Sequence, residues 1–224
     1  MDGPVVVTPR WFPRRAQPLA RPWREVEYLV VDLETTGLDL KRDAIASYGA
    51  VLIRDGRIVV AENTYGLVRP TCEITAESIT VHTLRNADVA DAPPLSHAVS
   101  VLDTLLRGRV LVAHAAWIEK AFLNRAFADH GATLRSPIID TAALARADGI
   151  APRGSRREPN LEWLAGAIGL PAVNPHHALG DAITTAQVFL ALASRLGPLG
   201  YGKASDFVDL TDGDRALAKV WSGP

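Results

Sequence analysis

The chain has very little cysteine and no long apolar run. Cys72 is the single cysteine in 224 residues, which excludes an internal disulfide framework and favours a reducing compartment. No uninterrupted apolar stretch reaches the ~18 residues of a membrane span, and the proline- and arginine-rich start does not resemble a signal peptide. We therefore expect a cytoplasmic protein that makes no use of a membrane.

The chain also lacks an excess of either charge. Its 24 basic and 25 acidic residues leave a formal net charge of −1, which excludes a globally basic nucleic-acid binder. A polyanion would have to be held by local basic patches or through metal ions. With 48% hydrophobic residues, the chain can bury a substantial core, and its length indicates one domain with appendages.

What the chain does have is an apolar run that ends in two carboxylates. Residues 28–37 read YLVVDLETTG, which predicts a buried strand stopped by a turn. Because side chains alternate in a strand, Asp32 and Glu34 face the same way, about 6.6 Å apart at ~3.3 Å per residue. That separation suits two carboxylates that share metal ions at the carboxyl edge of an α/β sheet. Taken alone, the tripeptide fits a solvated turn equally well.

The rest of the chain alternates strand and helix patterns. Two apolar runs around an Asp-Gly pair predict a hairpin, which makes three consecutive strands with the first. We expect His82, after a short helix, to be structural. Apolar spacing predicts helices over 75–81, 95–106, 117–130, 141–147, 161–168 and 178–196, and short strands over 110–113 and 137–140.

The two ends of the chain look different from the middle. Residues 1–25 are a proline- and arginine-rich N-terminal arm, in which five arginines less Asp2 leave +4 over positions 1–24. So much proline disfavours a helix or an inner strand, and we favour a packed or solvated arm over a phosphate-binding one. Residues 197–224 show little periodicity and are treated as a C-terminal extension without an assigned function.

An irregular loop over 149–159 is locally basic. It sets Arg153, Arg156 and Arg157 against Glu158, which leaves +2. Such a loop could bind phosphates near the acids. The alternative is a solvated loop without a binding role, since solvated loops often have the same composition.

Two more acids and two histidines complete the candidate residues. Glu119 falls in the first turns of a predicted helix, where an acid also complements the helix dipole, so a plain surface charge is the alternative. His176, His177 and Asp181 stand at the entrance of the last long helix, off its apolar stripe, and are therefore available for chemistry.

Three segments share this chemistry in a fixed order. They are DLETTGL at 32–38, VAHAAWIEKAFL at 112–123, and the pattern from His176 to Asp181 and Ala182. Together they resemble the three exonuclease motifs of the DEDDh 3′-5′ exonucleases, the family of the bacterial DNA polymerase III proofreading subunit. The resemblance implies an α/β, ribonuclease-H-like fold over residues 26–196, with a five-stranded mixed sheet, its first three strands antiparallel, and helices on both faces.

The resemblance also implies a mechanism. Two Mg²⁺ or Mn²⁺ ions would be held by carboxylate oxygens, which suit hard cations. His176, five residues before Asp181, would deprotonate the attacking water, while His177 stands where tyrosine-using relatives carry their tyrosine. The metal ligands would be Asp32, Glu34, Glu119 and Asp181, and the substrate contacts would come from Thr35 and Thr36 at the terminal sugar, Leu38 at the terminal base, and Arg153, Arg156 and Arg157 at phosphates.

The second motif departs from the family's usual His-Asn-Ala-x-Phe-Asp. Ala115, Ile118 and Glu119 replace its Asn, Phe and Asp. Glutamate keeps the charge and adds one methylene, so we expect metal support to survive with altered geometry. The expected activity is release of nucleoside 5′-monophosphates from single-stranded DNA 3′ ends. The alternatives are a non-catalytic nucleic-acid-binding or polymerase-associated module, with a DNA polymerase as partner, and an RNA-trimming exoribonuclease.

Overall fold

The structure is a computed structural model that describes residues 19–153, 155 and 157–221. Most of the predicted N-terminal arm and Arg156 lie outside the described residues. The last part of the arm forms a 3₁₀ turn, Trp23–Glu25, in which Trp23 is buried.

Six strands form a mixed sheet at the centre of the molecule. They are β1 (Tyr28–Thr35), β2 (Ile45–Arg54), β3 (Arg57–Ile58), β4 (Thr64–Leu67), β5 (Val110–Ala113) and β6 (Ile138–Asp140). β1 pairs with β2 in antiparallel fashion along its whole length and with β5 in parallel fashion. β6 continues the parallel part beyond β5. Because β1 fills one edge of β2, both β3 and β4 lie along its other edge.

The sheet has one strand more than the sequence predicted, because the third antiparallel strand is interrupted. A 3₁₀ turn at Val60–Glu62 curls the backbone away from β2 between Ile58 and Thr64. The two pieces occupy the same position across the sheet, so the five predicted positions are present. The α/β architecture with helices on both faces is confirmed.

The described residues form eight α-helices. They are α1 (Ala76–His82), α2 (Asn86–Val89), α3 (Leu95–Leu106), α4 (Trp117–Asp129), α5 (Thr141–Asp148), α6 (Leu161–Ala167), α7 (Ala178–Leu196) and α8 (Ala204–Trp221). Two helix boundaries show how capping residues define these elements. Asn160 caps α6 by accepting from the Trp163 N–H at 2.8 Å, and Gly149 ends α5 in the left-handed conformation.

Strand alternation divides the core into two layers. Val30 of β1 faces a layer that includes Phe189 of α7, whereas its neighbours Leu29 and Val31 face a layer that includes Phe122 of α4. The segment Ala178–Leu199 is long and apolar enough by composition to cross a membrane. Its apolar side chains pack on the sheet, as expected for the central helix of a core.

Helix α8 was not predicted. Its buried stripe contains polar residues, since Thr211 lies in line with Ala204 and Phe207, and Gly213 lowers the helix propensity of its middle. Phe207 is fully buried and packs against Trp23, with ring centroids 6.4 Å apart. The extension therefore packs on the domain core together with the end of the arm.

Candidate active site

The two acids of β1 lie on one face of the sheet. Asp32 and Glu34 continue the row of Val30, which faces α7. One carboxylate oxygen from each of Asp32, Glu34 and Asp181 lies within 4.8 Å of the other two. Strand and helix residues separated by almost 150 positions therefore meet at the carboxyl end of β1.

Asp181 reaches these acids because α7 begins very close to the sheet. Gly49 of β2 pairs with Asp32, and a Cβ atom at Gly49 would lie 2.2 Å from the carbonyl oxygen of Ala178. Only a residue without a side chain lets the first turn of α7 approach in this way. Asp181 is then fixed by the backbone N–H of His176, which donates to its Oδ2 at 2.9 Å.

Glu119 joins the cluster from the first turn of α4. Its side chain is buried, with 5% exposure, so its alternative reading as a plain surface charge is wrong. Burial, followed by repulsion from the carboxylates of Asp140 and Glu34, raises the pKa of Glu119 to about 8. Burial and the charges of Glu119, Glu34 and Asp181 raise the pKa of Asp32 well above its usual value.

The same pattern holds for the other two acids. Burial and then repulsion from Asp181 raise the pKa of Glu34 to about 7, and burial raises the pKa of Asp181 to about 6. Among the described residues, neither Glu34 Oε1 nor Glu119 Oε2 has a hydrogen-bond partner, although both atoms are buried. Carboxylates held together without compensation and with unpaired buried oxygens form a donor set that fits hard divalent cations.

The two histidines have different surroundings. The imidazole of His176 is half exposed, and its Nε2 lies 3.3 Å from Oε1 of Glu162 on α6. The ring of His177 stacks on Tyr65 of β4, with centroids 4.5 Å apart and planes at 25°. His177 is thus used in aromatic packing, while the backbone N–H of His176, one residue earlier, bonds Asp181. The role of His176 as a base stays a prediction.

A further acid, Asp140, was missed as a site residue. It ends β6 with 5% exposure, and its carboxylate accepts from the N–H groups of Ala116 at 3.0 Å and Ala142 at 2.9 Å. Asp140 therefore holds the beginnings of α4 and α5 together, and its bond to Ala116 lies three residues before Glu119. Burial raises its pKa to about 6. Its cap on α5 was visible in the sequence as an acid between strand and helix, but its bond to α4 was not.

The turn after β1 is closed by its own side chains. Thr36 Oγ1 donates to Asp43 and accepts from the Ala44 N–H, both at 3.0 Å, and Thr35 Oγ1 donates to the Gly37 carbonyl at 2.8 Å. Both threonine hydroxyls are therefore engaged within the turn. Leu38 stands at its tip with 68% exposure.

His82 has the structural role that the sequence suggested. Its ring is buried, and Nδ1 accepts from the Leu84 N–H at 3.1 Å. Nε2 then carries the proton and donates to the Thr35 carbonyl at 3.1 Å. The end of α1 is thereby tied to the turn that follows the acids.

The structure does not bring Arg153 to the acids. Its guanidinium donates to the carbonyls of Arg146 and Ala147, both at 3.2 Å, at the end of α5. Asp140 is at the other end of this eight-residue helix, about 12 Å away at ~1.5 Å per residue. Arg157 is exposed, and Arg156 lies outside the described residues, so a phosphate-binding role for the loop stays a prediction.

Known proteins resemble this chain over the same region. The family model described as an exonuclease, RNase_T, matches residues 29–189. A DNA polymerase III PolC-type protein of Clostridium perfringens is 33% identical over 162 residues, which are 72% of this chain and 11% of that protein. A DNA polymerase III subunit epsilon-like protein of Rhodobacter capsulatus is 35% identical over 182 residues, 80% of this chain and 25% of that protein. The chain thus spans a quarter or less of these relatives.

Solved structures share the fold. Exonuclease X in complex with 5′ overhanging duplex DNA superposes with a TM-score of 0.62 at 24% identity, covering 82% of this chain and 99% of that one. E. coli exonuclease I in complex with a dT13 oligonucleotide gives a TM-score of 0.67 at 15% identity, covering 78% of this chain and 42% of that one. The architecture is therefore that of known exonucleases. Because the family model covers most of the chain and ends in the middle of the helix that carries Asp181, the chain belongs to the RNase T-type exonuclease family.

Proposed function

We propose that this domain is a divalent-metal-dependent 3′-5′ exonuclease that releases nucleoside 5′-monophosphates from single-stranded DNA. The observation that carries the proposal is the meeting of Asp32, Glu34 and Asp181 within 4.8 Å, with buried Glu119 close enough to raise the pKa of Asp32. A structural role does not account for so many uncompensated carboxylates, because such a cluster costs stability.

The donor set divides between two ions. Asp32, Glu34 and Asp181 would hold one Mg²⁺ or Mn²⁺ ion, and Asp32 with Glu119 would hold the second. Bound divalent ions supply positive charge for activating water and for stabilising the leaving 3′-oxygen. Asp140 keeps Glu119 in place by fixing the start of α4.

The chain's own groups bind the strand end and move the proton. His176 accepts the proton of the attacking water after its ring turns from Glu162 towards the acids, a rotation that its half-exposed position allows. Leu38 contacts the terminal base from the tip of the turn, and the Thr35 and Thr36 backbone lies beside the terminal sugar. The hydroxyls of both threonines hold this turn in shape.

An end-labelled oligonucleotide tests the function directly. With Mg²⁺ or Mn²⁺, a 5′-labelled single strand should shorten stepwise, and a 3′-labelled one should release labelled mononucleotide at once. Asp32→Ala should lose the activity, whereas Asp103→Ala, a surface acid paired with Arg107 on α3, should keep it. Shortening from the 5′ end, or full activity of Asp32→Ala, would contradict the proposal. An RNA strand of the same sequence tests the exoribonuclease alternative.

Association with a DNA polymerase is a second candidate role. It is supported by the names of the relatives, which are a DNA polymerase III PolC-type protein and a subunit epsilon-like protein. If this chain acts as a proofreading module, adding the polymerase should increase removal of a mismatched 3′ nucleotide over a matched one. An equal rate with and without polymerase would leave a free-standing nuclease.

A further inference from the structure

A cavity of about 490 Å³ lies beside the loop that carries Leu38, on the side of α3 and α4. It is bounded by the end of the loop after β1, by the connection after β4 and by the facing sides of the two helices. None of the four clustered acids lines it. The cavity is thus separate from the metal site, and the loop over 37–43, which lines part of it, follows the strand of Asp32 and Glu34.

The lining of this cavity carries net positive charge, although the whole chain has a formal net charge of −1. Lys41 and Arg42 enter from the loop after β1, and Arg69 enters from the connection after β4. All three are exposed. Within the described part of the chain, neither Lys41 nor Arg69 has a salt bridge, and the contact of Arg42 with Asp39 is long, at 3.9 Å. Three cations from two separate segments therefore face one space, and the nearby charge of Asp39 acts on Lys41 and Arg42 only from the loop that carries them.

The acids of the lining do not cancel this charge. Adding Arg125 gives four cations against Asp43 and Asp129, a difference of +2. Asp43 is already engaged, because its carboxylate accepts from Thr36 Oγ1 at 3.0 Å and from the Asp39 N–H at 2.7 Å. The Asp43 carboxylate is therefore bonded to groups of the turn itself.

The beginning of α3 adds to the positive field. This 12-residue helix follows Pro94, which offers no side-chain cap, and Pro94, Leu95 and Ser96 all line the cavity. The first N–H groups of a helix are unpaired within it and carry partial positive charge. The helix start therefore favours an anion in the same space as the three cations.

The cavity is held at a fixed position relative to the metal site. Arg125 of α4 donates to the carbonyls of Leu40 and Asp43 and so fastens the loop to the helix. Glu119 lies six residues earlier on α4, about 9 Å away at ~1.5 Å per residue. The loop after β1 therefore leads from the strand that carries Asp32 and Glu34, past Leu38, to the cavity.

We propose that Lys41, Arg42 and Arg69 form a second nucleic-acid contact, which binds backbone phosphates outside the nucleotide being cleaved. The proposal rests on the proposed exonuclease function. The ligand is the phosphodiester backbone, because spaced point charges on a surface cavity neutralise successive phosphates without reading bases. The phosphates come either from the cleaved strand itself or from the complementary strand of a duplex end.

The test compares a long and a short substrate. In the triple variant Lys41→Gln, Arg42→Gln, Arg69→Gln, the KM for a single-stranded 20-mer should rise about tenfold or more. The slope of log KM against log salt concentration should fall by up to about two, since each phosphate contact on a single strand contributes ~0.7. The kcat should stay within about twofold, and kinetics on a dinucleotide, which reaches only the acids, should not change. The matched control is Arg57→Gln, Arg107→Gln, Arg135→Gln, which removes the same charge from residues outside the lining.

The outcomes separate the two sources and the two proposals. A rise in KM on the single strand assigns the cleaved strand, and a rise only on a duplex with a recessed 3′ end assigns the complementary strand. An equal rise in KM for the dinucleotide would overturn the proposed phosphate contact at the cavity. So would an equal rise in KM caused by the control triple variant. If the wild-type protein cleaves nothing, the exonuclease proposal fails. Fluorescence anisotropy of a labelled 20-mer then still tests the cavity, since only the cavity triple should weaken binding.

Discussion

The acid site has two halves that the fold builds in different ways. Asp32, Glu34 and Asp181 are partly exposed and meet within 4.8 Å. Glu119 and Asp140 are both 5% exposed and come from the beginning of a helix and the end of a strand. The first half follows from strand alternation and one close helix approach. The second depends on a single carboxylate that joins two helices, so a small change there should alter metal geometry without dismantling the cluster.

Glu119 is the sharpest test of the second half. Glu119→Gln keeps the shape and removes the charge, so we expect kcat to fall by about two to three orders of magnitude, the several kcal/mol of a Lewis-acid contribution. Glu119→Asp should retain measurable activity, and Mn²⁺ should serve at least as well as Mg²⁺, which demands stricter octahedral geometry. Single-turnover rates measure this. Full activity of Glu119→Gln would show that the half of the site formed by Glu119 and Asp140 does not take part in catalysis.

The two histidines beside Asp181 test which residue acts as the base next to the first half. His176→Ala should lower kcat by about a hundredfold, as for other general bases, because its backbone is bound to Asp181 and its half-exposed ring can turn from Glu162 towards the acids. His177→Ala should have a smaller effect, because its ring packs on Tyr65. The reverse order of effects would show that His177 is the base.

Asp140 tests whether the second half acts through its helix starts. An asparagine oxygen can accept one of the two N–H bonds but lacks the charge, so Asp140→Asn should cost about 1–2 kcal/mol of stability. It should also lower kcat about tenfold and raise the Mn²⁺ concentration needed for half-maximal rate. Asp148→Asn, an acid at the other end of α5 paired with Arg195, is the control. A loss of stability with an unchanged metal requirement would make Asp140 purely structural.

The two halves also differ in how far the sequence could predict them. The period of two placed Asp32 and Glu34 together, and apolar spacing placed α7 and its entrance near Asp181. The burial of Glu119 was not predictable, because its depth depends on the bond between Asp140 and Ala116, which are distant in sequence. Helix α8 was missed for a related reason. Its Thr211 faces inwards and accepts from the Asp140 N–H at 3.0 Å, so a tertiary contact replaces the apolar residue that periodicity requires.

The smallest expected effect concerns stability without metal, and it involves both halves. The folded state raises the pKa of Asp181 to about 6, of Glu34 to about 7 and of Glu119 to about 8. Because the pKa values are higher in the folded state, protonation of these acids stabilises folding. Their contribution to the free energy of unfolding is fully present below pH ~4, where the carboxyls of the unfolded chain titrate. It should be lost as the pH rises from about 4 to 8. In chelator, the Tm should therefore fall over this range by more in the wild-type protein than in Asp32→Asn.

Several degrees of difference are expected at pH 8, since about 1 kcal/mol shifts the Tm of a domain this size by about 2–4 °C. Addition of Mn²⁺ should remove most of the difference by stabilising the wild-type protein, whose acids are then neutralised. Asp103→Asn, on the exposed side of α3, provides the baseline for loss of a surface charge. If wild-type and Asp32→Asn proteins melt alike at pH 8 without metal, the carboxylates do not repel one another as their burial implies, and the metal site would have to be more open than the structure shows.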